Sequence, residues 1–150
     1  MKLNSTFTLA CLTLTVMIGY YVYAGQKRQE TVLTTVRNNW TNYIYMETTN
    51  YADIKVGETD DLQIPVRNNM NFVVDEVEVT VGYIKEGGEI YKEEKVAIFN
   101  IPPNSVKRGN APSNLPGTSV QVKISRIVSH SLNLCYPGSN RDYRDPYRCN

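Results

Sequence analysis

The sequence predicts an all-β fold of about seven antiparallel strands in two stacked sheets, preceded by one hydrophobic helix at the N-terminus. Three observations lead to this prediction. Apolar and polar residues alternate over much of 61–99, and strand-like runs recur with turn residues between them. No charged residue occurs between Lys2 and Lys27. Alternation with a period of two places one residue set on each face of a sheet, so one face is apolar and the other is solvated.

The N-terminal residues 1–25 are predicted to form a signal peptide or a membrane anchor. Residues 7–24 are apolar or small, apart from threonines and tyrosines. A helix needs roughly 20 apolar residues to cross a bilayer, so this segment is just long enough. The small residues of Val22-Tyr23-Ala24 also suit a signal peptidase. Two alternatives therefore remain: a protein anchored in the inner membrane through residues 7–24 and facing the periplasm, or one exported after cleavage.

The body of the chain is predicted to begin at residue 39, after a linker or short helix over 26–38. Trp40 is the only tryptophan, and we expect it to close one end of the core. Pro65 lacks an N–H and is expected at a sheet edge or a bulge. Residues 106–116 are predicted to be a loop or a short edge segment. The expected strands are 43–46, 54–56, 62–66, 75–85, 90–99, 120–128 and 132–135.

The charge balance argues against a nucleic-acid partner. Sixteen basic residues face fifteen acidic ones, and phosphate binding depends mainly on an excess of Lys and Arg. The charge is unevenly placed, since residues 25–105 carry a net −5 and residues 106–150 a net +5. This asymmetry favours attraction between the two ends of one domain. A basic C-terminal face for an anionic partner is the alternative.

The sequence from Val66 to Ile124 resembles a family of small, uncharacterised exported proteins of the bacterial envelope. The domain is similar to the FxLYD type of immunoglobulin-like sandwich, and the resemblance covers roughly residues 39–149. It implies an immunoglobulin-like antiparallel β-sandwich in the bacterial envelope, and it brings no catalytic residues. The matching residues are Asn68, Asn69, Asp75, Glu76, Val77, Tyr83, Gly88, Tyr91, Pro102, Pro103, Gly117, Thr118 and Ser119.

Cys135 and Cys149 are predicted to form a structural disulfide that closes the C-terminal tail. Both follow the export segment, and disulfides persist in exported proteins. Closing a loop of this length stabilises a fold by about 3 kcal/mol in the chain-entropy model. A redox or metal site that uses the two cysteines is the alternative. A redox pair is normally much closer in sequence, and two cysteines alone are too few ligands for a zinc site.

Other residues suggest chemistry less strongly. His130 is the only histidine, and on a strand Ser129 and Ser131 would point away from it. The carboxylates Glu58–Asp61 could serve a secreted enzyme, and so could Asp142–Asp145. We expect the second pair to form local ion pairs with Arg141, Arg144 and Arg148. No phosphate loop, zinc motif or dinucleotide fingerprint occurs, so no cofactor and no metal are predicted.

Tyrosine is abundant, with eleven residues, and several of them do not fit a core pattern. Tyrosine is common at recognition surfaces because its ring is apolar and its hydroxyl is polar. The sequence therefore predicts a non-enzymatic structural or interaction module of the bacterial envelope, whose partner is an unknown envelope protein or glycan. The residues predicted for a possible interaction surface are Tyr43, Tyr45, Tyr136, Tyr143 and Tyr147.

Overall fold

The computed structural model describes residues 5–47, 62–85, 87–112, 119–138 and 140–150, with side chains from residue 13 onward. The chain divides into two compact units, Met1–Val36 and Arg37–Asn150. The strand predicted at 54–56 and the carboxylates Glu58–Asp61 lie outside the described residues.

The first unit consists of the helix α1, Ser5–Asn38, which ends two residues inside the second unit. The sequence contains no proline before Pro65, so nothing interrupts the helix, and the short helix predicted over 26–38 is its continuation. Across the part of the chain that the structure describes, no helix combines the length and the apolar character needed to cross a membrane. The helix α1 includes the predicted anchor residues 7–24 and continues through the polar residues 26–30.

The second unit is built from antiparallel sheets, as predicted. Within the described residues a short 3-10 turn, Trp40–Asn42, precedes seven strands. One sheet has the order β1-β2-β5 and the other has the order β4-β3-β6-β7. The strands are β1 Ile44–Met46, β2 Leu62–Asn68, β3 Val74–Ile84, β4 Ile90–Ile101, β5 Ser105–Ala111, β6 Ser119–Ser129 and β7 Leu134–Tyr136.

Alternating residues of both sheets form the core. Val77 and Val79 on β3 are fully buried, while Glu76 and Glu78, which alternate with them, are partly exposed. The exposed side chains of β3 form ion pairs with side chains of the two neighbouring strands, β4 and β6. Glu78 lies 3.0 Å from Lys95 Nζ and accepts a hydrogen bond from Ser125 Oγ. These two contacts lower the pKa of the Glu78 carboxyl, the lysine having the larger effect.

Residues 106–116 were open to two predictions, a loop or a short edge segment. The structure has an edge strand, β5, over Ser105–Ala111. It pairs with β2 from Leu62↔Ala111 to Asn68↔Ser105 and forms an edge of the three-stranded sheet. Gly109 faces β4 of the other sheet at close range. A Cβ on Gly109 would lie 2.7 Å from Val96 Cγ1 and 2.8 Å from Ile98 Cγ1. The two sheets meet closely at this edge because the residue has no side chain.

The predicted edge position of Pro65 needs a correction. Pro65 lies on β2, which is the central strand of its sheet. Its carbonyl oxygen accepts a hydrogen bond from the Glu47 backbone N–H at 3.1 Å, so the proline nitrogen also points to the β1 side. The strand β1 ends at Met46, and the ladder between β1 and β2 reaches only Met46↔Val66. The missing N–H therefore interrupts no rung of this ladder.

Candidate functional site

The C-terminal tail, residues 137–150, is fixed to the last strand. Cys135 on β7 and Cys149 form a disulfide, with 2.11 Å between the sulfurs and 5.1 Å between the Cα atoms. The Cys135 N–H donates to the Tyr147 carbonyl at 2.8 Å, and the Cys149 N–H donates to the Asn133 carbonyl at 3.1 Å. The tail thus returns antiparallel beside β7, where Leu134 and Arg148 form an isolated bridge.

A buried ion pair holds the middle of the tail. Arg37, in the last turn of α1, is 1% exposed, and Asp145 is 7% exposed. The Arg37 Nε donates to Oδ1 and Oδ2 of Asp145 at 3.0 and 3.1 Å, and Nη2 also donates to Oδ2. Arg37 Nη1 donates to the Leu132 carbonyl at 3.0 Å. Such forked, desolvated contacts impose one geometry on both groups.

Asp145 therefore differs from the local ion pair predicted for it. The partner of Asp142 is one of the three arginines predicted for local pairing, since Arg144 Nε and Nη2 each donate to its carboxylate at 3.1 Å. This contact lowers the pKa of Asp142 and raises the pKa of Arg144. Asp145 instead pairs with an arginine 108 residues away in sequence. The prediction failed because spacing along the chain gives no information about a partner on a distant element.

The turn inside the tail is ordered by short-range hydrogen bonds. Asn140 Nδ2 donates to the Asp145 carbonyl at 3.0 Å, and Asn140 Oδ1 accepts from the Asp142 N–H at 3.2 Å. The tail also passes close to Gly138. A Cβ on Gly138 would lie 2.2 Å from the Pro146 carbonyl oxygen, so no side chain fits there. The described residues of this turn, Gly138 and 140–148, are consequently held by close contacts and hydrogen bonds.

Aromatic rings cover the tail on the side of the core. The Trp40 ring lies 4.7 Å from the Tyr136 ring, and the Tyr136 ring lies 6.0 Å from the Tyr147 ring, measured between centroids. Trp40 is 8% exposed, in agreement with its predicted role in the core. Two of the five predicted surface tyrosines, Tyr136 and Tyr147, are thus half-buried in one aromatic cluster.

The other three predicted tyrosines have different neighbours. Tyr143 is 88% exposed at the tip of the tail, and the Arg144 guanidinium carbon lies 6.0 Å from its ring centroid. Tyr45 on β1 is partly exposed, and its hydroxyl accepts a hydrogen bond from Asn69 Nδ2 at 3.0 Å. Tyr43 is half-buried, and its carbonyl accepts from the Asn69 N–H at 2.8 Å. The five tyrosines do not all join in one aromatic cluster.

The residues considered for catalysis have other partners. His130 Nδ1 lies 3.0 Å from Asp75 Oδ2, and the His130 backbone N–H donates to the same oxygen at 2.6 Å. Ser129 Oγ donates to the Val73 carbonyl at 2.6 Å. Among the described residues no cluster of three or more His, Cys, Asp or Glu side chains could hold a metal ion. Asp142 and Asp145 are each engaged by an arginine, one on the surface and one in the interior.

The buried pair is the feature of this site that the sequence did not indicate. The net charges of the two halves of the chain predict attraction between an acidic N-terminal and a basic C-terminal half. Arg37 and Asp145 have the opposite arrangement, because the base lies in the acidic half and the acid in the basic half. The one sequence feature that marks this ion pair is the position of Arg37 as the basic residue in the last turn of α1.

Comparison with known proteins identifies no relative. No family model matches the chain, and no curated protein or solved structure does so either.

Proposed function

We propose that the chain is a non-enzymatic, exported interaction module of the bacterial envelope, with an immunoglobulin-like sandwich that presents Tyr143 to a protein or glycan partner. Tyr143 carries the proposal, because its ring is almost fully exposed on a loop that many contacts hold in place. A large ring loses little conformational freedom on binding when its loop is already ordered. Tyrosine and arginine are the residues that most often anchor such contacts.

The strand order supports the immunoglobulin-like assignment. In a constant-type immunoglobulin domain with strands A to G, one sheet contains A, B, E and D, and the other contains C, F and G. Here β1, β2 and β5 correspond to A, B and E, while β3, β6 and β7 correspond to C, F and G. The fourth strand, β4, takes the place of D in chain order. It pairs with β3, whereas strand D of a constant-type domain lies in the same sheet as E. The proposed resemblance to FxLYD-type domains is consistent with this order.

Export is supported by the disulfide and by the N-terminal sequence. A disulfide between Cys135 and Cys149 is stable in an oxidising compartment. The uncharged residues 7–24 would direct the chain to the export machinery. A non-enzymatic role is supported by the candidate acids of the tail, since Asp142 and Asp145 are each paired with an arginine.

Replacing Tyr143 with alanine is expected to weaken partner binding at least tenfold while leaving the free energy of unfolding within about 0.5 kcal/mol of the wild-type value. The ring makes few contacts within its own chain, so its loss removes an anchor and little packing. The measurement is co-sedimentation with isolated peptidoglycan sacculi, together with quantitative pull-down from envelope extract, using the full-length protein.

Phe99→Ala is the matched control, because Phe99 is a second exposed ring, 54% accessible on β4. Loss of binding with Tyr143→Ala and retention with Phe99→Ala would support the proposal, and the assay in which this occurs would assign the partner to glycan or protein. Equal binding by the two variants would exclude Tyr143 as the anchor. An absence of saturable binding in both assays would contradict the interaction role itself.

A further inference from the structure

The described part of α1 exposes a wide apolar surface. Each large apolar side chain over residues 14–23 is more than half exposed. Successive residues are 100° apart on a helix, so these side chains cover the circumference over nearly three turns except for a sector of about 100°, which holds Thr15 and Gly19. A surface this wide suits a protein core or lipid, whereas a single docking partner covers one stripe. The residues are Leu14, Val16, Met17, Ile18, Tyr20, Tyr21, Val22 and Tyr23.

A band of tyrosines and basic residues follows this apolar stretch. Tyr20, Tyr21 and Tyr23 are followed by Lys27 and Arg28, which come four and five residues after Tyr23. Tyr20, Tyr23, Ala24, Lys27, Arg28 and Thr31 line a shallow groove along the helix. Positions three and four apart share a helix face, so Tyr23 and Lys27 are neighbours. Both charged residues before Glu30 in the described helix are positive.

We infer that α1 is retained in the exported protein and contacts an anionic lipid surface. The apolar side chains enter the acyl region, while the tyrosine hydroxyls and the charges of Lys27 and Arg28 meet the lipid phosphates. Tyrosine favours this interface because its ring is apolar and its hydroxyl is polar, and basic residues next to it bind anionic headgroups. Along the helix, apolar residues are followed by tyrosines and then by basic residues. This order favours a lipid surface over a protein as the partner of α1.

The test is flotation of the full-length protein with phosphatidylcholine vesicles, prepared with and without phosphatidylglycerol. Binding to both is expected, with tighter binding to the anionic vesicles. The double variant Lys27→Gln/Arg28→Gln is expected to bind the anionic vesicles about 30-fold more weakly, since each basic residue near the surface contributes about fivefold. Its binding to pure phosphatidylcholine should be unchanged.

The control is Lys123→Gln/Arg108→Gln, which removes the same charge from exposed positions on the strands. An equal loss in both double variants would show that net charge alone acts, and would overturn the inference. Equal flotation with the two vesicle types would overturn the headgroup contact, and no flotation with either would overturn the lipid surface altogether. The inference also fails if the intact mass of the natural protein shows that it begins after Ala24. It does not depend on the partner of Tyr143.

Discussion

Replacing Asp145 with leucine is expected to lower the free energy of unfolding by about 3–5 kcal/mol. The substitution removes the carboxylate from the buried Arg37 guanidinium, which then keeps the cost of desolvation without its opposite charge. Since Arg37 also fixes the Leu132 carbonyl, the turn before β7 should loosen with the tail. Chemical denaturation of the purified protein, followed by the fluorescence of Trp40, measures the change.

Two further variants separate the buried pair from ordinary charge effects. Asp142→Asn removes an exposed carboxylate only three residues away, and we expect it to leave the free energy of unfolding nearly unchanged because solvent screens this ion pair. The double variant Arg37→Met/Asp145→Leu removes both buried charges together, and it should recover most of the loss. If Asp145→Leu and Asp142→Asn destabilise the protein equally, the tail is not held by the buried pair.

Replacing Asn68 with aspartate is expected to cost about 3–5 kcal/mol at neutral pH. The Asn68 side chain is fully buried, and its Nδ2 donates to the carbonyls of Phe72, Ile101 and Pro102 at 2.8, 3.2 and 3.0 Å. Its Oδ1 accepts from the Met70 N–H at 2.9 Å. An ionised carboxylate would lose all three donor contacts and face carbonyl oxygens in the interior.

This loss should depend on pH in a characteristic direction. Burial and the neighbouring carbonyls disfavour the charged form, so the introduced carboxyl has a higher pKa in the folded than in the unfolded state. The folded state then binds the proton more tightly, and the cost of Asn68→Asp should shrink as the pH is lowered. Asn69→Asp is the control, because Asn69 is exposed. A pH-independent cost, or equal costs for the two variants, would contradict this role of Asn68.

The strands that could be predicted from the sequence are those with a solvated face. On β3 the buried Val77 and Val79 alternate with Glu76 and Glu78, and this contrast is visible in the sequence. The strand β5 lacks it. Its face toward the other sheet includes Gly109 and Ala111, and these residues are small because the sheets approach closely there. Close approach is a property of two strands together, so the sequence of β5 alone left a loop and a short edge segment as alternatives.

In the candidate site, contacts between residues close in sequence could be predicted, and a contact between distant residues could not. The Cys135–Cys149 pair and the Asp142–Arg144 ion pair join residues close in sequence, and their spacing was sufficient to predict them. The Arg37–Asp145 pair joins the helix to the tail across most of the chain, and the fold alone brings the two residues together. For the tyrosines, composition indicated surface binding, but only the position of Trp40 distinguishes the packed Tyr136 from the exposed Tyr143.

The most direct test of an exported module with a locked tail is the state of its cysteines in protein isolated from its natural source. Alkylation under denaturing conditions without reductant, followed by peptide mass mapping, reads each cysteine separately. We predict that Cys135 and Cys149 are unmodified before reduction and are recovered as one linked peptide pair. Full alkylation of both cysteines without reductant would contradict both the locked tail and export to an oxidising compartment.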